Sequence, residues 1–139
     1  MERRAQCQCG ALSVAAEGEP ESIVMCNCQA CQRRTGSVMG VVAYYPRGQV
    51  RITGSAERFE RAAASGGAVI GYFCGTCGST VYIESARHPT AIGVAVGAFA
   101  DPDFPAPQRS VWDETRHGWL TGPDGIPHFI RGRDSARIG

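Results

Sequence analysis

The seven cysteines of this 139-residue chain fall into three tight clusters. The first pair is Cys7 and Cys9, the trio is Cys26, Cys28 and Cys31, and the second pair is Cys74 and Cys77. In an extended segment, side chains two residues apart point to the same face, so a Cys-x-Cys pair can hold one ion from one side. A Cys-x-x-Cys pair on a tight turn also brings its two sulfurs together, and such spacings are a strong zinc signal.

A glycine follows the last cysteine of each pair, at Gly10 and Gly78. Because glycine adopts positive φ without steric cost, we expect these residues to help aim backbone N–H groups at the thiolates. Such hydrogen bonds would partly neutralise the charge of several sulfurs gathered on one ion.

Disulfide bonding explains these cysteines poorly. Their number is odd, and the first residues of the chain contain no apolar segment of a secretory signal. We therefore expect a cytoplasmic, reducing location, in which thiols stay reduced. A thioredoxin-type redox motif also fits poorly, because the Cys74/Cys77 pair lies between two strand-like segments rather than at the start of a helix.

Zinc binds thiolates tetrahedrally, in closed structural sites with four protein ligands or in open sites with three. Seven thiolates divide naturally into four and three, with the two pairs on one ion and the trio on a second, open one. Spacing alone leaves other partitions open, such as the Cys7/Cys9 pair with Cys26 and Cys28, although the short separations favour keeping the trio together. We expect one to two zinc ions per chain.

The fold class predicted from the sequence is mainly β. The chain has 18 glycines and 8 prolines, spread along its length, which favours many turns between short strands. One short helix is expected at 30–35, ended by Gly36. We predict a single domain of antiparallel sheets over 1–131, a frayed polar tail at 132–139, and strands at 12–16, 38–45, 49–53, 58–62, 68–73, 80–84, 91–96 and 110–112.

Charge and hydropathy exclude two classes of partner. The formal net charge is +1, from 14 basic and 13 acidic side chains, and no basic run is longer than the pair Arg33-Arg34. Nucleic-acid binding depends on clustered positive charge, so we expect none. Apolar stretches such as 37–45 are too short to span a bilayer, so we expect no membrane partner.

Together, the motifs resemble the glutathione-dependent formaldehyde-activating enzyme family, which includes centromere protein V. They are Cys-x-Cys-Gly at 7–10, Cys-x-Cys-x-x-Cys-x-Arg-x-Thr-Gly-Ser at 26–37, and Gly-x-Phe-Cys-x-x-Cys-Gly at 71–78. Trp112, Trp119 and the closing residues 124–129 extend the likeness over nearly the whole chain. The resemblance implies a zinc-bearing β-tent of antiparallel sheets. It also implies that the two pairs bind a structural zinc and that the trio binds a catalytic zinc.

The activity named for the family joins glutathione to formaldehyde and is formally a carbon–sulfur lyase reaction. An open three-thiolate zinc suits this chemistry, because a soft thiol is a better fourth ligand for it than water. We therefore predict a zinc-dependent lyase-like enzyme that acts on thiol (glutathione) adducts of aldehydes or related electrophiles. Arg33 and Arg34 are candidates to bind the glutathione carboxylates.

Two other interpretations compete with the enzyme. In one, the chain is a zinc-stabilised interaction module without catalysis; an intact trio favours the enzyme, because a pure scaffold needs no open coordination position. In the other, Cys26 to Cys31 sense thiol redox state, which would require oxidation to compete with zinc binding.

Overall fold

A computed structural model describes all residues of the chain, 1–139. One α-helix, α1, spans Gln29–Thr35, and short 3-10 turns occur at Arg47–Gln49, Val96–Phe99 and Asp113–Thr115. No helix is long and apolar enough to cross a membrane. The strands are β1 (Glu2–Gln6), β2 (Ser13–Glu17), β3 (Ser22–Cys26), β4 (Gly40–Pro46), β5 (Val50–Thr53), β6 (Glu57–Ala62), β7 (Ala68–Phe73), β8 (Thr80–Ser85), β9 (Ala91–Ala95) and β10 (Arg109–Val111).

Contacts within the chain define two compact units. The first comprises Met1–Glu21 with Ala43–Phe104, and the second comprises Ser22–Val42 with Pro105–Gly139. The single domain expected over 1–131 stays a prediction.

The first unit contains an antiparallel sheet in the order β1-β2-β5, in which Val14 lies opposite both Ala5 and Ile52. Val14 and Ala16 point to the same face of β2 and are fully buried, and Ala15 between them is buried as well. Strands β6 to β9 follow as an antiparallel run of neighbours, with Tyr72 of β7 opposite Tyr82 of β8 and stacked on it at 4.5 Å between ring centroids.

The second unit is built on β3, which runs parallel to β10, with Met25 opposite Ser110. Helix α1 begins directly after β3, with Cys28 as its N-cap, and it ends at Gly36 in the left-handed region (φ 68°). Residues 127–130 lie beside β10, since Phe129 N donates to Ser110 O at 2.9 Å. The tail that was expected to be frayed returns to this segment, where Ile138 N donates to His128 O at 2.8 Å.

The structure confirms a mainly β fold with very little helix. Most predicted strands agree with the observed ones to within two residues at each end. Three features differ from the sequence expectation. Neither β1 nor β3 is among the predicted strands, and the β3–β10 pair is parallel, so not every sheet pairing is antiparallel.

Candidate metal centres

The first unit gathers Cys7, Cys9, Cys74 and Cys77, whose sulfurs all lie within 4.8 Å of one another. The Cys7/Cys9 pair follows β1, and the Cys74/Cys77 pair occupies the turn between β7 and β8. The sulfur–sulfur distance is 3.7 Å from Cys7 to Cys9 and 3.6 Å from Cys9 to Cys74. A tetrahedral zinc with bonds of about 2.3 Å requires sulfurs about 3.8 Å apart, so this four-sulfur site has dimensions that fit the ion.

The two glycines beside the site have the expected positive φ, 81° at Gly10 and 80° at Gly78. Their own amides, however, donate to carbonyl oxygens, Gly10 N to Cys7 O and Gly78 N to Cys74 O. The amides that reach sulfur belong to Leu12, at 3.3 Å from Cys7 Sγ, and Thr76, at 3.4 Å from Cys74 Sγ. The glycines therefore shape the turns, while other backbone groups solvate the thiolates.

Hydrogen bonds and neighbouring sulfurs shift the pKa values of three of these thiols in different directions. The Ser79 hydroxyl, 3.4 Å from Cys77 Sγ, lowers the pKa of Cys77 to about 5. The amide of Leu12 likewise lowers the pKa of Cys7. The amide of Ala11 favours the Cys9 thiolate, but the neighbouring sulfurs outweigh it and raise the pKa of Cys9 to about 11. Ionising all four thiols at neutral pH therefore calls for a cation among them.

The second unit gathers the trio Cys26, Cys28 and Cys31, again with all sulfurs within 4.8 Å of one another. Cys26 ends β3, Cys28 caps the helix, and Cys31 lies in the first turn of α1. The backbone N–H of Cys31 donates to Cys28 Sγ at 3.3 Å. This three-sulfur site contains no histidine or carboxylate ligand, so its residues provide three of the four positions that zinc prefers.

Crowding of the sulfurs disfavours ionisation of Cys26 in the absence of a cation. The hydrogen bond between the Cys26 thiol and Cys28 is the largest influence raising the pKa of Cys26, followed by Cys31 and by burial. A cation bound by the trio would reverse this effect, because a metal deprotonates the thiols that coordinate it.

The two candidate glutathione-binding arginines lie in different environments. Arg33 is exposed, and its spacing of two residues from Cys31 places it on a different helix face. Arg34 is half-buried and lies three residues after Cys31. The hydrogen bond with Cys26 and, more weakly, the Arg34 charge favour the Cys31 thiolate, but Cys28 and burial outweigh them, so the pKa of Cys31 is raised. A Cβ on Gly40 would lie 2.7 Å from Arg34 Nη2, so glycine leaves room for the guanidinium there. The structure thus brings Arg34, but not Arg33, to the trio.

A buried polar network supports the trio and was not anticipated from the sequence. Asn27, between two cysteines of the trio, is 0% exposed. Its Nδ2 donates to Ser110 Oγ at 2.9 Å, Val111 O at 2.9 Å and Asp113 Oδ1 at 3.1 Å. The Asp113 side chain is 3% exposed and also accepts from Ser110 Oγ, while its Oδ2 lies 2.6 Å from His128 Nδ1.

The backbone of the same loop is held from the other side. The carbonyl oxygen of Asn27 accepts from Gln32 Nε2 and from Thr115 Oγ1, each at 2.9 Å. Gln32 Oε1 in turn lies 2.9 Å from His117 Nε2. The family-like sequence signals in this region are Trp112, Trp119 and the closing residues 124–129, which include His128, and no spacing rule connects them to the trio.

The chain is mainly β and has two separate sets of ligands that consist only of cysteines. It is therefore a cysteine-rich protein with two candidate metal centres. The sequence profile of the glutathione-dependent formaldehyde-activating enzyme matches residues 2–115. The chain therefore belongs to that family. A search of curated protein sequences finds no match.

The fold has a counterpart among solved structures. A crystal structure of a Rhodobacter sphaeroides protein is similar, with a TM-score of 0.56 and 21% sequence identity. The similarity covers 73% of this chain and 90% of the other. At this level of identity it supports the fold alone.

Proposed function

We propose that this protein is a zinc-dependent, carbon–sulfur lyase-like enzyme that acts on glutathione adducts of aldehydes or related electrophiles. The observation that carries the proposal is the three-sulfur site, in which Cys26, Cys28 and Cys31 provide only three ligands beside a half-buried cation, Arg34. Membership of the glutathione-dependent formaldehyde-activating enzyme family supports the same substrate class.

The donor sets suit zinc and give the two sites different tasks. Four cysteines would close the coordination of one ion in the four-sulfur site, which makes that site structural. Zinc bound by the trio would supply a soft Lewis acid with one open position, favouring a thiolate ligand over water. A reducing compartment such as the cytoplasm would keep all seven cysteines as the free thiols that these sites need.

The residues around the trio have separate roles in this proposal. The three cysteines hold the ion, and the hydrogen bonds to Asn27 keep the loop between Cys26 and Cys28 in one conformation. Arg34 pairs with a carboxylate of glutathione, since a guanidinium fork matches that group. Arg33, which is exposed, contributes only a distant, solvent-screened attraction.

Calorimetry on the zinc-loaded protein tests the ligand. Glutathione should bind, whereas S-methylglutathione, which keeps both carboxylates but lacks an ionisable thiol, should bind far more weakly. Glutathione affinity should rise with pH as the thiol loses its proton. Equal affinity for the two compounds would contradict sulfur–metal contact. If neither binds to protein with both sites filled, a non-catalytic interaction module becomes the better interpretation.

The arginines provide a matched comparison for carboxylate binding. Replacing Arg34 with Gln should weaken glutathione binding by about 1.5–3 kcal/mol, the range for a hydrogen bond to a charged group. Replacing Arg33 with Gln changes the same net charge at an exposed position and should have a much smaller effect. Equal losses would indicate a general charge effect and remove Arg34 from the binding site.

Metal analysis tests the division of labour between the sites. Protein purified without chelator should contain between one and two zinc ions per chain, with the four-sulfur site full. The Cys77→Ser variant should lose thermal stability, because structural zinc contributes directly to folding. The Cys28→Ser variant should lose zinc from the trio but melt close to the wild type. Equal falls in melting temperature would contradict the assignment of one structural and one open site.

A further inference from the structure

Strand β6 is the last strand of its sheet and pairs only with β7. Its residues Glu57, Arg58, Phe59 and Glu60 are all exposed, and Phe59 retains 66% of its accessible surface. An exposed edge strand presents unpaired N–H and C=O groups, to which another strand can add. A large aromatic residue at the centre of such an edge is unusual, because edges are normally blunted rather than made apolar.

The backbone hydrogen bonds show which peptide groups face outward. Ala63 N donates to Gly67 O at 2.8 Å, so Ala63 and every second residue before it, including Phe59, bond toward β7. The peptide groups of Arg58 and Glu60 therefore point away from β7. Neither forms a backbone hydrogen bond elsewhere.

The side chains along β6 follow a pattern that is complementary to itself. The order is Glu57-Arg58-Phe59-Glu60-Arg61. When two copies are placed antiparallel about Phe59, Arg58 lies opposite Glu60, Glu57 lies opposite Arg61, and the two Phe59 rings meet. Opposite charges on directly opposed strand positions stabilise pairing, and like charges destabilise it.

Other registers of the same antiparallel pair lose this complementarity. A shift of one residue places Glu57 opposite Glu60, or Arg58 opposite Arg61. A shift of two residues places the two Arg58 side chains, or the two Glu60 side chains, opposite each other. Among these registers, the charge pattern therefore favours the one centred on Phe59. Charges that served only solubility would not need to favour one register.

We propose that β6 is a self-association edge that pairs antiparallel with β6 of a second copy of this chain. The two-fold axis passes beside Phe59, so the same patch is used on both copies. Arg58 and Glu60 of each copy exchange their N–H and C=O bonds with Glu60 and Arg58 of the other. Phe59 then occupies a non-hydrogen-bonded position, where opposed side chains approach most closely.

The side chains are able to rearrange for this pairing. Within one chain, Arg58 Nη2 lies 3.0 Å from Glu60 Oε1, and both side chains are more than half exposed. The two groups therefore lie on one face of the strand, and each can exchange this partner for the corresponding group of the second copy. Because the interface consists of one pair of short strands, the dimer should form reversibly.

A charge exchange tests the register. Sedimentation velocity of the zinc-loaded protein should show a monomer–dimer equilibrium over a roughly hundredfold range of concentration, as expected for a small interface. Arg58→Glu and Glu60→Arg, each alone, should weaken dimerisation by at least about tenfold, because each places like charges opposite one another twice. The double variant should restore it. A wild type that is monomeric throughout would overturn the proposal, and so would single variants that dimerise normally.

Hydrogen exchange on the wild-type protein provides a test that needs no variant. The amides of Arg58 and Glu60 should exchange more slowly as protein concentration rises. The amide of Phe59, which bonds toward β7, provides the internal control and should not depend on concentration. If the outward amides show no concentration dependence although a dimer forms, the copies associate through another surface and the proposal is wrong.

Discussion

Replacing Asn27 tests whether the loop of the trio is held by hydrogen bonding or by simple packing. The side chain is 0% exposed, and its Nδ2 has three acceptors: Ser110 Oγ, Val111 O and Asp113 Oδ1. An amide nitrogen carries two hydrogens, so these contacts represent about two full hydrogen bonds. One of the acceptors is the buried Asp113 carboxylate.

The expected loss in Asn27→Ala can be worked from these contacts. A hydrogen bond to a charged group contributes about 1.5–3 kcal/mol and a neutral one about 0.5–1.5 kcal/mol. The Oδ1 of Asn27 is buried without a hydrogen-bond partner, so removing it stabilises the folded state by about 1 kcal/mol or more. We therefore expect Asn27→Ala to lower the free energy of unfolding by about 1–3 kcal/mol, a large part of the stability of an ordinary domain.

Urea unfolding measures this loss. The free zinc concentration is kept the same for all variants, because bound metal contributes to the apparent stability. Asn27→Asp is the matched variant, since it keeps the volume but replaces the donor with an oxygen that faces the Asp113 carboxylate. The hydrogen-bond argument predicts that Asp is worse than Ala at neutral pH. A packing role predicts the reverse order, so an Asp variant more stable than the Ala variant would refute the reasoning.

Two further positions give predictions with internal comparisons. Gly54 has φ +97°, and an added Cβ would meet Ala11 O at 2.0 Å, whereas Gly66 has φ +96° with nothing within 4 Å. Gly54→Ala should therefore lower the free energy of unfolding by more than about 3 kcal/mol, whereas Gly66→Ala should lower it by only about 1–2 kcal/mol, through backbone strain alone. Equal melting temperatures for the two variants would contradict the steric argument. The hydrogen bond from Tyr72 to Glu84 raises the pKa of Tyr72 from its ordinary value of 10.0 to about 12. The raised pKa favours the neutral phenol in the folded state, so the free energy of unfolding of the wild type should fall as pH rises from about 10 to about 12. In Tyr72→Phe the fall over this range should be smaller. Parallel pH curves for the two proteins in chemical unfolding would contradict this role of the Tyr72–Glu84 hydrogen bond.

The cysteine pairs and the trio could be predicted from the sequence because chelation depends on spacing over a few residues. The support of the trio could not, since Asn27 bonds to residues 83–86 positions away. Local patterns contain no information about such partners. The parallel direction of β10 relative to β3 could not be predicted either, because side chains alternate between the two faces in parallel and antiparallel strands alike.

Strand β1 was missed because an arginine occupies one of its inward positions. Arg3 and Ala5 share the inward face, and the Arg3 side chain is only 11% exposed. Its guanidinium lies over the Phe104 ring, with Cζ at 5.1 Å from the ring centroid. The alternation of a half-buried strand is therefore present, but a long cationic side chain packs by its stem where sequence rules expect an apolar residue.

The two sulfur sites close chain loops of very different length. Contact between Cys9 and Cys74 joins residues 65 positions apart, whereas Cys28 and Cys31 are only 3 apart. A metal that links distant segments lowers the conformational entropy of the unfolded chain more than one that links neighbouring residues. For these two loop lengths the difference corresponds to about 2–3 kcal/mol of free energy. An ion in the four-sulfur site therefore acts as a cross-link that opposes unfolding. An ion at the trio restrains almost nothing in the unfolded chain, so it can exchange with solution while the fold stays intact.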